Sequence, residues 1–111
     1  KIEHYDFGLI VIDGKRYTSD VIIYPDQVNY RWWRKEGHQL ILEDIRDVLR
    51  EEPEVVVVGT GQSGLMKVSQ EVQDYFKTKG IKLIVDKTEE ACEIYNKLES
   101  KKKIAALHLT C

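Results

Sequence analysis

The stretch Val55-Val56-Val57-Val58-Gly59-Thr60-Gly61-Gln62-Ser63-Gly64 decides the fold of this chain. Four consecutive β-branched residues without polar alternation are typical of a strand that is covered on both faces. The glycines that follow predict a tight turn, because glycine adopts the positive φ angles that such turns require. We therefore place residues 55–58 at the centre of a sheet and expect helices on both sides of it.

Beyond the glycines, helix and strand signals alternate. Ser69 is a good N-cap and Gly80 is a typical helix stop, so the segment between them is predicted as a helix. The predicted elements that follow are a strand over residues 81–85, a helix capped by Thr88 and a strand over residues 104–109. Strand, helix and strand from residue 55 to residue 85 should form a right-handed parallel βαβ unit.

The first third of the sequence is rich in strand signals. Apolar runs over residues 5–12 and 15–24 flank the turn pair Asp13-Gly14, and residues 28–34 alternate with period two. Helical spacing over residues 40–52 predicts one more helix, which Pro53 ends. The sequence therefore predicts a three-layer α/β domain with a mixed central sheet, helices on both faces and an N-terminal antiparallel β-meander.

Composition limits the class of protein. With 111 residues and 42% hydrophobic residues, the chain is predicted to form a single domain over residues 1–111. Seventeen Lys and Arg against nineteen Asp and Glu give a net charge of −2, which disfavours nucleic-acid binding. No apolar run approaches the roughly 20 residues of a membrane span, and we expect a soluble cytoplasmic protein without a membrane partner. Two cysteines match no metal-binding spacing, so no metal is expected.

The glycine segment contains the pattern G-x-G-x-x-G, with Asp86 lying 22 residues beyond Gly64. A dinucleotide-binding turn would open its helix directly at the glycines, whereas Ser69 is the better cap here. Leu65-Met66 stand where a P-loop needs Lys and then Ser or Thr. We therefore expect no cofactor and interpret the segment as a structural bend whose free amides can bind a small anion or a partner's carboxylate.

Residues 30–35 interleave aromatic and basic side chains, the chemistry that stacks and neutralises single-stranded nucleic acid. Strand alternation offers a simpler interpretation, because it sends Tyr30 and Trp32 to one face and Arg31 and Trp33 to the other. We favour this interpretation, with Trp32 in the core. An exposed Trp33 among basic residues would suit a protein interface.

The three histidines, His4, His38 and His108, lie in separate predicted elements and are interpreted as structural. His38 is the exception worth considering, because its connection can approach the glycine segment. As a general base it would need a neighbour such as Arg34, Lys67 or Thr60 to orient a substrate.

Cys92 and Cys111 leave open a disulfide. From Cys92 the predicted helix runs away for roughly 14 Å, and the last strand returns for roughly 20 Å, so the two sulfurs can meet. A reducing cytosol argues against the bridge.

The chain resembles a small domain family of unknown function that includes the mitochondrial complex I assembly factor 3 and the adipogenesis-associated domain proteins. The resemblance rests on residues 17–23 (Y-T-S-D-V-I-I), on Pro53-Glu54 before residues 55–61, and on Thr88, Ala91, Tyr95-Asn96 and Leu98. Where that family carries Glu-Gly-Arg after the last helix, this chain has residues 99–103 as E-S-K-K-K. The resemblance implies the same α/β fold, no established reaction and an accessory or assembly-type role.

The leading hypothesis is a non-enzymatic module, monomeric or weakly dimeric, that binds a protein partner or a small ligand at the sheet end carrying the glycines. The alternative is an enzyme or sensor that uses the glycine segment as an anion cradle. The resemblance places Thr88 and Asn96 near the same end of the sheet. The candidate ligand-binding residues are Gly59, Thr60, Gly61, Gln62, Ser63, Thr88, Asn96, His38 and Arg34.

Overall fold

A computed structural model describes all residues 1–111 of the chain. The strands are β1 (Ile2–Asp6), β2 (Leu9–Ile12), β3 (Lys15–Tyr17), β4 (Val21–Ile23), β5 (Val28–Asn29), β6 (Gln39–Leu40), β7 (Val55–Thr60), β8 (Lys67–Val68), β9 (Lys82–Asp86) and β10 (Lys103–His108). A 3₁₀ turn (Leu42–Ile45) leads into helix α1 (Arg46–Arg50), and helices α2 (Gln70–Lys79) and α3 (Thr88–Lys97) follow β8 and β9.

The central sheet has five strands in the order β5-β4-β10-β7-β9. β10 and β9 both pair with β7 in parallel, whereas β4 pairs with β10 and with β5 antiparallel. The sheet is therefore mixed, and β7 lies beside one edge strand, β9. Because β7, β9 and β10 run in the same direction, their carboxyl ends share one edge of the sheet.

The centre of the sheet is buried on both faces, as the four valines predict. Val56 and Val58 belong to a core shared with α1 and α2, whereas Val57 belongs to a second core shared with α3 and the N-terminal strands. Alternate residues of one strand thus serve two cores, which is the geometry that the uninterrupted apolar run requires. The predicted three-layer α/β fold with a mixed sheet is confirmed.

The N-terminal antiparallel sheet is confirmed, but its strands differ from those predicted. It consists of β1, β2 and β3, because the chain leaves this sheet after Tyr17 and β4 joins the central sheet instead. The predicted strand over residues 28–34 ends at Asn29. Beyond it, the Trp32 amide donates to the Asp20 carbonyl and the Trp32 indole to the Asp44 carbonyl, so tertiary contacts hold this segment in place of a ladder.

The helices also agree in part with the prediction. α2 begins after Ser69, whose hydroxyl accepts from the Val72 amide, and ends at Gly80 in the left-handed conformation, as expected. The predicted helix over residues 40–52 is shorter and starts as a 3₁₀ turn. Thr88 is the first residue of α3 and not its cap, because its hydroxyl is used elsewhere. None of the helices has the length and apolar character needed to cross a membrane.

Candidate functional site

The glycine loop, residues 59–64, begins with the last two residues of β7 and continues beyond the carboxyl edge of the sheet. Gly61 has a φ of +105°, and a Cβ placed there would lie 2.3 Å from the carbonyl carbon of Cys111. At Gly59 a Cβ would lie 2.8 Å from the Thr88 hydroxyl oxygen. The two glycines therefore allow residues 110–111 and the start of α3 to pack directly against the loop backbone.

Five amides in and directly after this loop, between Gly61 and Met66, are already used. The Gln62 and Leu65 amides donate to the Thr110 and Cys111 carbonyls at 2.7 and 3.0 Å. The remaining bonded amides donate as follows: Gly61 to the Thr88 hydroxyl, Gly64 to the Gly61 carbonyl and Met66 to the Thr60 carbonyl. The prediction of a loop rich in free amides is therefore wrong, because the main chain of residues 110–111 fills it.

Thr88 joins the loop to the last strand. Its hydroxyl accepts from the Gly61 amide at 2.8 Å and donates to the His108 carbonyl at 2.6 Å, and the residue is fully buried. A buried hydroxyl that makes both bonds fixes the loop relative to β10. Of the residues predicted to lie together at this end, Gly59, Thr60, Gly61 and Thr88 do.

An open groove of about 430 Å³ lies beside the loop. It is lined by Thr60, Ser63, Gly64, Met66, Lys67, Val68, Gln73, Val85, Asp86 and Lys87. Lys67 is positioned by β8, which pairs with β6 and whose Lys67 amide donates to the His38 carbonyl at 2.8 Å. The stem of Lys87 passes over the loop, with its Cγ 3.3 Å from the Cβ position of Gly64. Two lysines thus flank a groove at the carboxyl ends of β7 and β9.

A buried ionic cluster, Asp20–Arg34–His108, lies one strand away. His108 is the register partner of Thr60 across the β10–β7 ladder. Asp20 Oδ2 accepts from Arg34 Nη1 and contacts His108 Nδ1, each at 2.8 Å, while Oδ1 accepts from the Leu109 amide at 2.8 Å. Arg34 also donates to the Gly37 carbonyl and lies over the Trp32 ring, 4.7 Å from its centroid.

Electrostatics keep the Asp20 carboxyl ionised. Burial opposes its ionisation, but hydrogen bonds from His108, the Leu109 amide and Arg34 outweigh burial and lower the pKa of Asp20 below its usual value. His108 Nδ1 also lies 3.0 Å from Arg34 Nη2, so this nitrogen either donates to the Asp20 carboxylate or accepts from the Arg34 guanidinium, depending on the tautomer.

Two atoms of the ionic cluster lack partners. Arg34 Nε and His108 Nε2 are buried and make no hydrogen bond. The Arg34 and His108 side chains are 5% and 7% exposed, so these atoms are well shielded from solvent. The sequence prediction included Arg34 but missed Asp20 and His108. A single histidine within an apolar final strand was the available signal, because a buried polar side chain needs a partner.

Two other candidates lie apart from the loop. His38 is exposed, and its ring centroid lies 6.3 Å from that of His108, so it borders the ionic cluster. Asn96, near the far end of α3, bonds to the amide and the carbonyl of Ile2 at 3.0 and 2.7 Å. The expectation that Asn96 lies at the same sheet end as Thr88 is wrong, because α3 carries it about 12 Å away.

Both cysteines are free thiols, so the disulfide that the sequence left open is not formed. His108 lies level with Thr88 at the start of α3, and Cys111 continues past that end. Cys92 lies one helical turn inside α3, in the opposite direction. Burial, helped by neighbouring glutamates, raises the pKa of the Cys92 thiol to about 12.

No three His, Cys, Asp or Glu side chains lie together as metal ligands would.

Comparison with known proteins identifies the family. The profile of the family described as "Protein of unknown function (DUF498/DUF598)" matches residues 2–109 of this chain. The chain belongs to the DUF498/DUF598 family. The resemblance seen in the sequence is thus confirmed at the level of a domain family of unknown function.

Solved structures support membership of the DUF498/DUF598 family. A conserved hypothetical protein, PH1505 from Pyrococcus horikoshii OT3, is 31% identical with a TM-score of 0.84, and the match covers 100% of this chain and 99% of that one. The protein MT938 is 27% identical with a TM-score of 0.81, covering 99% and 97%. A Mth938-like domain from Bordetella pertussis shares the fold at 19% identity and a TM-score of 0.70, covering 98% and 85%.

Proposed function

We propose that this DUF498/DUF598 protein is a non-enzymatic binding module, and that the groove beside the glycine loop holds the anionic group of a small ligand. The observation that carries the proposal is the position of Lys67 and Lys87 in one groove at the carboxyl ends of β7 and β9. Open α/β sheets bind ligands outside the carboxyl ends of their strands. The groove volume of about 430 Å³ also falls within the usual range for small-molecule sites.

The charges of the groove favour an anion. Lys67 and Lys87 contribute two positive charges, and Asp86 contributes one negative charge. The Asp86 carboxylate accepts from the Lys87 amide at 2.8 Å, so part of its hydrogen-bonding capacity is already used. The Ser63 hydroxyl supplies a neutral hydrogen-bonding group on the loop side. A carboxylate or phosphate would therefore meet two ammonium groups and a hydroxyl.

The same groove offers little for catalysis. The Thr60 hydroxyl donates to the Asp86 carbonyl at 3.1 Å, which ties it to the backbone and away from a general base. A nucleophile needs an adjacent base, and no histidine or cysteine lines this groove. Binding is the simpler use of these residues. The family resemblance supports an accessory or assembly-type role in the cytoplasm. The bound anionic group would then belong to a metabolite or to a partner protein.

The test is a thermal-shift titration with inorganic phosphate and with acetate, at an ionic strength held constant with sodium chloride. We expect phosphate to raise the Tm of the parent protein, because a ligand that binds only the folded state stabilises it. Lys67→Gln and Lys87→Gln should each weaken apparent affinity by roughly tenfold, equivalent to about 1.4 kcal/mol. Lys101→Gln, in an exposed turn, is the matched control and should leave the shift unchanged. Equal shifts in all four proteins, or none in the parent, would contradict the proposal.

A second candidate function is acid–base catalysis at the ionic cluster, and the unpartnered Nε2 of His108 favours it. Asp20 Oδ2 lies 2.8 Å from Nδ1, the position that a carboxylate takes when it orients a histidine for proton transfer. Nitrogen-15 NMR of the histidine side chains tests this candidate during the phosphate titration. A change in the Nε2 signal of His108 would place a ligand at the cluster, and an unchanged signal with a perturbed Lys87 would leave the groove as the site.

A further inference from the structure

Strand β9 is an open edge of the central sheet. It pairs only with β7, and its five residues, Lys82-Leu83-Ile84-Val85-Asp86, are partly or fully exposed. The opposite edge, β5, has only two residues. Edge strands of this length present unpaired backbone groups to other chains unless something covers them.

The hydrogen bonds of β9 show which groups are unpaired. The Lys82 amide donates to the Glu54 carbonyl at 3.2 Å, on the side of β7. The Asp86 carbonyl accepts from Thr60 on that same side. Because backbone groups alternate in direction along a strand, Leu83 and Val85 direct their N–H and C=O groups toward the open edge.

The sequence of β9 is complementary to itself when two copies run antiparallel. With Ile84 opposite Ile84, Lys82 lies opposite Asp86, and Leu83 lies opposite Val85. The two ion pairs fall at the ends of the shared ladder, and the apolar residues fall between them. The Leu83–Val85 pairs bring together the outward-facing residues, so each pair exchanges two backbone hydrogen bonds.

Other registers lack this complementarity. In an antiparallel pair, outward-facing residues must lie opposite outward-facing residues. Among the registers that meet this condition, those centred on Leu83, Ile84 or Val85 pair most of the strand. Centring on Leu83 sets Lys82 opposite Ile84, and centring on Val85 sets Asp86 opposite Ile84. Only the register centred on Ile84 matches unlike charges and keeps all five residues paired.

We propose that β9 is the interface for a second copy of this chain, which pairs antiparallel with Ile84 on the twofold axis and extends the sheet across two protomers. A groove of about 350 Å³ between α2 and this edge, lined by Phe76, Leu83 and Val85 among others, lies on the face where the partner's Leu83 and Val85 would pack. A twofold contact of this kind closes on itself, so it produces a dimer and not a fibre. Val85 and Asp86 of β9 also line the ligand-binding groove, but the pairing is argued from the backbone and sequence of β9 and does not require a ligand.

The backbone part of the proposal is tested with Val85→Pro. Proline removes an outward-facing N–H that β7 does not use, and edge strands tolerate proline at such positions. We expect the parent to show concentration-dependent dimerisation by sedimentation equilibrium, with slower hydrogen exchange of the Leu83 and Val85 amides as concentration rises. Val85→Pro should remain monomeric at the same concentrations while its circular dichroism stays that of the parent.

The charge part is tested with Lys82→Glu and Asp86→Lys. Each variant places like charges opposite each other in its own dimer, so each should weaken self-association by roughly tenfold or more. In an equimolar mixture the introduced glutamate of one variant faces the introduced lysine of the other, and the unchanged Asp86 faces the unchanged Lys82. We therefore expect the mixture to form a heterodimer, detected by native mass spectrometry with one variant nitrogen-15 labelled. Lys101→Glu, in an exposed turn, is the control and should associate like the parent.

Three results would overturn this assignment. The first is a parent that stays monomeric at NMR concentrations with freely exchanging Leu83 and Val85 amides, which would leave the edge available to a peptide from another protein. The second is a dimer that Val85→Pro does not weaken, since its interface must then lie elsewhere. The third is a mixture of the two charge variants that associates no better than either alone, which rejects the register centred on Ile84.

Discussion

The glycine loop and the buried ionic cluster are neighbours at the carboxyl edge of the sheet, but they are built in opposite ways. The loop is conspicuous in the sequence, and the amides of Gly61, Gln62 and Gly64 are all bonded within the fold. The cluster joins Asp20, Arg34 and His108 from three distant parts of the chain and keeps two buried atoms without partners. The glycine pattern therefore specifies a backbone shape, whereas the unused hydrogen-bonding capacity lies in side chains that belong to no sequence motif.

The largest expected effect is that of Gly61→Ala in the loop. A Cβ at a φ of +105° is strained and would also lie 2.3 Å from the Cys111 carbonyl carbon. Backbone strain and overpacking together should lower the free energy of unfolding by about 4 kcal/mol, measured by urea denaturation. Residues 110–111 should leave the loop, which amide exchange at Gln62 and Leu65 would report.

Gly14→Ala separates the two causes. Gly14 also has a positive φ, +81°, but a Cβ there meets nothing within 4 Å. Its cost should therefore be backbone strain alone, about 1 kcal/mol. If Gly61→Ala cost no more than Gly14→Ala, the packing of residues 110–111 against the loop would not be a source of stability, and the loop would again be a candidate anion site.

The two regions also show how far the sequence could be interpreted. The four valines of β7 predicted a buried central strand, and Ser69 and Gly80 predicted the ends of α2, because these signals are local. The break in the N-terminal sheet after Tyr17 was missed, since tertiary bonds at Asp20 and Trp32 override strand propensity there. The ionic cluster was missed because its members are separated by 14 and 74 positions, and no local pattern encodes such a contact.

The next effect in size is that of Asp20→Asn in the cluster. The uncharged side-chain amide of the introduced asparagine cannot neutralise Arg34. The buried guanidinium is therefore left without its ion pair. Removing one partner of a buried pair is strongly destabilising, and because Asp20 is partly exposed we expect about 3 kcal/mol of lost unfolding free energy. Asp47→Asn is the matched control. Its bond to Arg50 is exposed, and it should change stability by less than about 0.5 kcal/mol.

The pH dependence of this difference distinguishes a charge effect from a packing effect. The folded-state pKa of Asp20 lies below its ordinary value of about 3.9, so the folded protein holds this proton less tightly than the unfolded chain. The stability that the carboxylate contributes is therefore fully present above that ordinary value and is lost as pH falls through the folded-state pKa. The difference in unfolding free energy between the parent and Asp20→Asn should therefore decrease as the pH is lowered. A gap independent of pH would assign the loss to side-chain packing.

Thr88→Val, with a smaller expected effect than Gly61→Ala or Asp20→Asn, tests whether the loop and the cluster act as separate regions. Thr88 is the side chain that bonds to both, through the Gly61 amide and the His108 carbonyl. Valine keeps the shape and leaves two buried groups without this partner, so we expect a loss of about 2 kcal/mol. Thr88→Ser keeps the hydroxyl and should cost about 1 kcal/mol for the lost methyl group. A double-mutant cycle with Asp20→Asn then measures the coupling. Additive losses would show that the loop and the cluster are independent despite their shared hydroxyl, whereas a coupling of about 0.5 kcal/mol or more would mean that strain in the cluster reaches the loop through Thr88.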